Sequence, residues 1–191
     1  MVSRSSAAPR VHRFTRDEYY RMAEAGLFQH ERVELLDGEI ITMSPQNTPH
    51  ASTVYRVAHR LEQLIGNTTC IRCQLPIVLN DWSEPEPDIA VCAPDSDDYS
   101  QAHPQPGQIL LLIEVADASS LYDRGQKAAA YATSGILELW IVNLPDHRIE
   151  VLTDPDPVTR SYRQQQYVFA GDSLPLPGGS VIAATDILPR P

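Results

Sequence analysis

Residues 108–115 read Gln-Ile-Leu-Leu-Leu-Ile-Glu-Val, and this stretch decides the fold. Five consecutive aliphatic residues, Ile109 to Ile113, are followed at once by a carboxylate, Glu114. Such a run is typical of a central strand that is buried on both faces of a sheet. A carboxylate at the end of a buried strand needs a compensating partner, because an unpaired buried charge is costly. The stretch therefore predicts a central β-strand with a site at its end.

The segments around this strand alternate between helical and strand-like patterns. Strands are predicted at residues 32–36, 39–43, 70–79, 88–93, 108–115, 139–144, 148–153 and 162–169, followed by a Pro- and Gly-rich tail at 174–191. Helices are predicted from Thr15 to about Ala25, from Val54 to Ile65, and from Ser119 or Ser120 to about Ser134. This order predicts an α/β fold in which helices flank a mixed central sheet. An N-terminal helix and hairpin precede it, and extra antiparallel strands follow it.

Length and composition predict one domain. The chain has 191 residues, 42% of them hydrophobic and 21% charged, which suits a single core over residues 14–191. Residues 1–13 are predicted to be a mobile N-terminal segment. Three cysteines, an odd number, give no disulfide framework and favour a reducing compartment, so a cytoplasmic location is expected. No stretch approaches the roughly 20 apolar residues of a membrane helix.

The charge balance limits the kind of nucleic-acid contact that is expected. A net charge of −10 counts against a protein that coats DNA, because nonspecific affinity comes mainly from Lys and Arg neutralising phosphates. It does not exclude an enzyme with a local basic cleft, or one whose acidic residues gather around metal ions. Arg56, Arg60, Arg72 and Arg124 are the candidates for a small basic surface, with solvated side chains as the alternative.

Two carboxylates are candidates for a metal site. Asp88 begins one predicted strand and Glu114 ends the next, and period-two alternation allows both to lie on one face of adjacent strands. Two hard oxygen ligands with open positions suit Mg²⁺ or Mn²⁺. The alternative is that both carboxylates lie at strand ends in water.

Lys127 is the third candidate. Of the 15 basic residues 14 are Arg, and Lys127 is the single Lys. A compact ammonium can approach a phosphate oxygen or a water in a way that a planar guanidinium cannot. Asp123, Lys127 and Tyr131 are spaced four apart and line one helix face. The alternative is an ordinary surface ion pair of Asp123 and Lys127, which contributes little stability.

A set of short motifs extends over roughly residues 15 to 188. The motifs are Glu34-Leu35-Leu36-Asp37-Gly38-Glu39, Pro49-His50, Pro87-Asp88, Ile113-Glu114-Val115, Asp123-Arg124 with Lys127 and Tyr131, Gly135-Ile136 and Trp140-Ile141-Val142. In this combination they resemble the Uma-type restriction endonucleases, a branch of the PD-(D/E)XK nuclease fold. The chain departs from the plain superfamily motif, because the position two after Glu114 is Ala116 and not Lys. Lys127, on the following helix, fits a variant in which the lysine has moved.

The resemblance implies a restriction-endonuclease-like core with a Mg²⁺ or Mn²⁺ site. Asp88 and Glu114 are the implied ligands, and Lys127 is implied to position or activate the attacking water. The expected function is metal-dependent hydrolysis of phosphodiester bonds in DNA, and the expected assembly is a homo-oligomer, with a dimer as the candidate form. A non-enzymatic homodimeric interaction protein that kept the nuclease-like fold is the rival, and a metal-dependent hydrolase of RNA or a smaller phosphate is the third hypothesis.

Further residues are supporting candidates. Glu34 is a possible additional carboxylate, with an exposed hairpin charge as its alternative. His50 is a possible substrate or metal contact, with a helix cap or surface group as its alternative. Gln74 is expected mid-strand, facing either the site or the core.

Overall fold

The computed structural model describes residues 10–117 and 121–189, with the side chains of 121–124 outside this description. Its helices are α1 (Arg16–Glu24), α2 (Thr48–Ile65), α3 (Leu121–Thr133) and α4 (Ala184–Ile187). Its strands are β1 (Val33–Leu36), β2 (Glu39–Thr42), β3 (Cys70–Cys73), β4 (Ile89–Cys92), β5 (Ile109–Ala116), β6 (Glu138–Asn143), β7 (Arg148–Asp156), β8 (Ser161–Val168), β9 (Ser173–Pro175) and β10 (Val181–Ala183). Most of the predicted mobile segment, residues 1–9, and the predicted caps Ser119 and Ser120 lie outside the described residues.

Six strands form one mixed sheet in the order β3-β4-β5-β6-β7-β8. β5 and β6 run parallel, whereas the other neighbours are antiparallel. Parallel neighbours require a crossover connection, and α3 lies in that connection. The predicted α/β fold with a mixed central sheet is therefore confirmed. The N-terminal helix and hairpin and the antiparallel strands at the C-terminus are also present.

Each face of the sheet is covered by its own layer. One face packs against α2 and the C-terminal segment, and its core includes Val57, Leu61, Ile113, Trp140 and Ile187. The opposite face packs against α3, and its core includes Leu36, Ala90, Leu112, Tyr131 and Leu139. Side chains that alternate along β4 and β5 enter the two cores in turn, which is why these strands read as nearly continuous apolar runs. The predicted packing of α2 against the sheet is confirmed.

The helix starts are determined by polar caps. Thr15 caps α1 in a capping box with Glu18, as the sequence predicts. α2 begins at Thr48, six residues before the predicted start at Val54. Asn47 is its N-cap, because the Asn47 side chain accepts a hydrogen bond from the His50 backbone N–H. The first turn carries no core-facing apolar residue, so hydrophobic periodicity alone missed it.

Two strand predictions need correction. β3 ends at Cys73 and does not extend to Leu79, because Gln74 has a positive φ of 52° that turns the chain out of the strand. In β5 the register against β4 shifts beside Cys92, which pairs with Ile109 and leaves Leu110 without a partner. Leu110 is consequently 38% exposed, whereas Leu111 is 1% exposed. The prediction that all five aliphatic residues are buried is therefore wrong at Leu110, which this bulge leaves outside both cores.

The predicted Pro- and Gly-rich tail contains ordered structure. β9 and β10 form an antiparallel hairpin, and α4 follows directly. The side chains of Leu174, Leu176, Ile182, Ile187 and Leu188 are buried against the α2 face of the sheet. None of the helices in the described ranges is both long and apolar enough to cross a membrane.

Candidate functional site

Asp88 and Glu114 line one cleft at the edge of the α3 face. Asp88 immediately precedes β4, and the β4–β5 register places Ile89 opposite Ile113, one step from the two carboxylates. The Asp88 backbone N–H donates to Glu114 Oε2 over 3.4 Å, and the Val115 backbone N–H donates to Asp88 Oδ2 over 2.8 Å. Only 9% of Asp88 and 7% of Glu114 are exposed, so the alternative of two solvated strand ends is wrong.

His50 and Gln74 both contact Asp88. His50 Nε2 lies 3.0 Å from Asp88 Oδ2, and Gln74 Nε2 donates to Asp88 Oδ1 over 3.3 Å. Burial alone raises the pKa of Asp88, but the hydrogen bonds from His50 and from Val115 hold it below its usual value. Burial lowers the pKa of His50, yet the Asp88 carboxylate outweighs burial and raises it. His50 Nδ1 is buried and has no hydrogen-bond partner among the described residues.

The ammonium of Lys127 lies among three oxygen acceptors. Nζ donates to the Glu86 backbone carbonyl over 2.9 Å, and it lies 3.1 Å from Glu34 Oε2 and 3.5 Å from Glu114 Oε1. Its side chain is 11% exposed, which rules out the predicted alternative of a surface residue paired only with Asp123. The Asp123 side chain lies outside the described residues. Glu34 is buried and not the exposed hairpin charge that was considered.

The charges around Lys127 fix its protonation. Burial by itself lowers the pKa of the Lys127 ammonium, but the Glu114 and Glu34 carboxylates raise it well above its usual range. The ammonium therefore stays protonated at neutral pH. Burial also raises the pKa of Glu114, to about 7, despite Lys127 and a 2.7 Å hydrogen bond that Glu114 Oε1 accepts from the Tyr131 hydroxyl. Tyr131 is fully buried, so it holds Glu114 in one orientation.

A family model described as "Putative restriction endonuclease", Uma2, matches residues 16–188. The chain belongs to the Uma2 family. The match spans every residue of the cleft. No curated protein sequence matches the chain.

The fold of this Uma2 chain also resembles a solved structure from Anabaena variabilis, described as "a putative nuclease belonging to DUF820". The TM-score is 0.71 at 14% sequence identity, and the match covers 91% of this chain and 97% of that chain. At this identity the likeness shows the shared fold alone.

The sequence did not single out two residues that line the cleft, Glu86 and Asp117, or Asn47, which lies beside it and contacts Asp117. The Asn47 side chain donates to Asp117 Oδ2 over 2.6 Å while it caps α2, so it ties the start of α2 to the end of β5. The Glu86 backbone N–H donates to Glu34 Oε2 over 2.9 Å, and the Glu86 carboxylate pairs with Arg32. Asn47 was detectable, because Asn followed two residues later by Pro49 is a helix-start signal. Glu86 acts partly through its backbone and leaves no signal in the sequence.

The cleft supplies only part of the ligand set that a hard divalent cation takes, and waters would complete it. No group of three or more His, Cys, Asp or Glu side chains in the described ranges is arranged to hold a metal ion. Mg²⁺ does not require such a group, since it is commonly bound by one or two carboxylates and several waters. Asp88 and Glu114 supply two carboxylates, and the unpartnered His50 Nδ1 shows that the polar groups beside them are incompletely satisfied. The residues present therefore fit a two-carboxylate site.

Proposed function

We propose that the protein is a divalent-metal-dependent endonuclease that hydrolyses phosphodiester bonds of DNA. The observation that carries the proposal is the convergence of Asp88, Glu114 and Lys127 in one cleft, since these residues come from the segment before β4, from β5 and from α3. Two acids and one amine that are distant in sequence but buried together are characteristic of a functional site. Membership of the Uma2 family supports the nuclease activity.

Asp88 and Glu114 would hold Mg²⁺ or Mn²⁺, which would polarise a phosphate and activate a water. In the hydrolysis, the water oxygen bonds to phosphorus as one P–O ester bond breaks. The water gives up one proton, and the leaving oxygen takes up one. Lys127, which remains protonated, supplies positive charge and hydrogen bonds to the phosphate oxygens or to the water. It therefore acts as a cation and not as the base.

The role of each supporting residue follows from its contacts. Glu34 holds Lys127, and Tyr131 orients Glu114. His50 contacts Asp88 Oδ2 and Gln74 contacts Asp88 Oδ1, so the two side chains together orient the Asp88 carboxylate. We also place the reaction in the cytoplasm, where the three cysteines, all free, remain reduced.

A homodimer is part of the proposal. β8 forms one edge of the sheet, and six of its eight residues are exposed. An edge strand presents unpaired backbone N–H and C=O groups that a second copy can pair with. The other edge, β3, has only four residues.

One observation favours the rival function, an interaction protein without catalysis. The acceptors around Lys127 all belong to the protein itself, so the charge of this ammonium is compensated without any ligand. Such self-compensation is also what a purely structural buried ion cluster requires.

Metal titration separates the two functions. Isothermal calorimetry with Mn²⁺ is expected to show saturable binding to the wild type and none to Asp88→Asn, which keeps the shape of the side chain. Thermal melting of both proteins checks that the variant is folded. Cleavage of labelled DNA with Mn²⁺ completes the test. Absence of both binding and cleavage in the wild type would establish the interaction-protein function instead.

A further inference from the structure

The cleft around Asp88 and Glu114 is strongly acidic. Its lining includes five carboxylates, and among the side chains that the structure describes Lys127 is the one Lys or Arg that lines it. The carboxylates belong to Glu34, Glu86, Asp88, Glu114 and Asp117. A phosphodiester is itself an anion, so it can enter only where cations offset these charges. Few phosphates can therefore be held there at one time.

The surface outside the cleft offers little compensation. Seven arginines of the described ranges are already paired with carboxylates, namely Arg16, Arg21, Arg32, Arg60, Arg148, Arg160 and Arg163. Arg13 donates to the backbone carbonyl of Asp37, Arg56 donates to those of Ile187 and Leu188, and Arg72 is buried, whereas Arg10 is exposed. Surface ion pairs can open at low cost, but the carboxylate that stays nearby offsets part of the attraction between the arginine and a phosphate.

Duplex DNA is bound through many phosphates. A protein that makes about 6–10 phosphate contacts loses roughly 10³–10⁵ in affinity between 50 and 200 mM salt. With every described arginine except Arg10 engaged internally, the described surface does not provide that number of contacts. Duplex recognition by a broad basic footprint is therefore disfavoured for one copy of this chain.

One wall of the cleft alternates between apolar and polar residues. It is formed by the end of β2 and the segment that leads into α2, where Ile41, Met43 and Pro45 alternate with Thr42, Ser44 and Gln46. Pro45 is exposed and Met43 is half-buried, so both are accessible from the cleft. The faces of paired bases are stacked within a duplex, whereas those of an unpaired strand are free to contact apolar side chains.

We infer that the substrate of this cleft is an unpaired DNA strand, held by one or two phosphates at the acidic end and by base contacts with Met43 and Pro45. This inference rests on the proposed nuclease function. On this inference, the affinity for the strand comes from phosphates that the cation bridges to the carboxylates and from contacts between bases and apolar side chains. Binding by such few phosphates changes little with monovalent salt.

The experiment measures kcat/KM with Mn²⁺ on one labelled DNA sequence in single-stranded form, in duplex form, and as its RNA equivalent, at 50 and 200 mM KCl. We expect at least a tenfold preference for the single DNA strand and less than about a tenfold change with salt, which is the bound that one or two phosphate contacts set. Met43→Ala is expected to raise KM several-fold with kcat unchanged. Val158→Ala is the control, since Val158 is 90% exposed on the β7–β8 turn.

The outcomes distinguish the inference from the function on which it rests. Equal or faster cleavage of the duplex, or a steep loss of activity with salt, overturns the inference and leaves the nuclease in place. Preference for the RNA strand overturns the assignment to DNA, and an unchanged KM in Met43→Ala overturns the base contact. Failure of the wild type to cleave any of the three substrates overturns the nuclease and the inference together.

Discussion

The ammonium of Lys127 has its three acceptors at defined positions, a backbone carbonyl and two carboxylates from separate elements. A guanidinium is planar and larger, so it cannot point three donors at the same three oxygens. The pairing with Glu34 and Glu114 also explains why the single lysine of the chain is buried.

We expect Lys127→Arg to retain Mn²⁺ binding and to lower kcat by about a hundredfold, as loss of one well-placed donor does in other enzymes. Calorimetry and single-turnover cleavage measure the two quantities. A near-silent substitution would remove Lys127 from the mechanism. Lys127→Met, which also removes the charge, shows how much of the effect comes from charge alone.

The sequence predicts which residues line the cleft better than it predicts their contacts. Composition identified Lys127, and strand alternation identified Asp88 and Glu114. The sequence could not show that Glu86 contributes its carbonyl, because a backbone group is the same at every position. It also could not decide between an exposed and a buried Glu34, because this depends on the packing of the β1–β2 hairpin.

Among the elements, β5 carries the largest share of the core. Its bulge separates two adjacent leucines, with Leu110 exposed and Leu111 buried. The aliphatic run made both look equivalent in sequence. Only the register against β4 distinguishes them, and register depends on the partner strand.

We expect Leu111→Asp to prevent folding, because an unpaired buried charge costs several kcal/mol against a typical net stability of about 5–15 kcal/mol. Leu110→Asp, one position away, is expected to stay folded with a small change in melting temperature. Circular dichroism and expression in soluble form measure both. Equal behaviour of the two variants would contradict the bulge.

The C-terminal hairpin is the element that the sequence analysis missed. β9 and β10 have three residues each, too short for a periodic pattern, and their turn residues resemble those of an irregular tail. Their stability comes from packing against the sheet and not from local propensity.

We expect Ile182→Asp to destabilise the protein strongly, since Ile182 is fully buried, and Val181→Asp to be nearly neutral, since Val181 is 57% exposed. Urea unfolding gives the change in the free energy of unfolding for both. A mild effect of Ile182→Asp would show that the hairpin is dispensable to the core.

The six-stranded sheet ends, on one side, in β8, which pairs with β7 and has no partner strand on its outer side among the described residues. β8 has Arg163 as its single charged residue, and a strand of this kind has little protection against pairing with another copy. Pairing between two copies of β8 would continue the sheet from one chain to the next.

For the proposed dimer we expect analytical ultracentrifugation to give about twice the chain mass of 21.2 kDa. Replacing Gln164 and Gln166 together by Lys is expected to give monomers, since like charges on the shared strand destabilise pairing. Val158→Lys with Thr159→Lys is the charge-matched control on the neighbouring turn. A wild type that sediments as a monomer at every concentration would end the dimer proposal.

The crossover that carries Lys127 also sets when the cleft can form during synthesis. Asp88 and Glu114 leave the ribosome before α3 does, and α3 packs in place only once β6 is available to pair with β5. Until then the growing chain holds the carboxylates of the cleft without the Lys127 ammonium packed beside them. The assembled cleft is therefore absent from nascent chains that do not yet include β6. Because domains form as units during translation, the arrangement delays the complete site until most of the chain has been made.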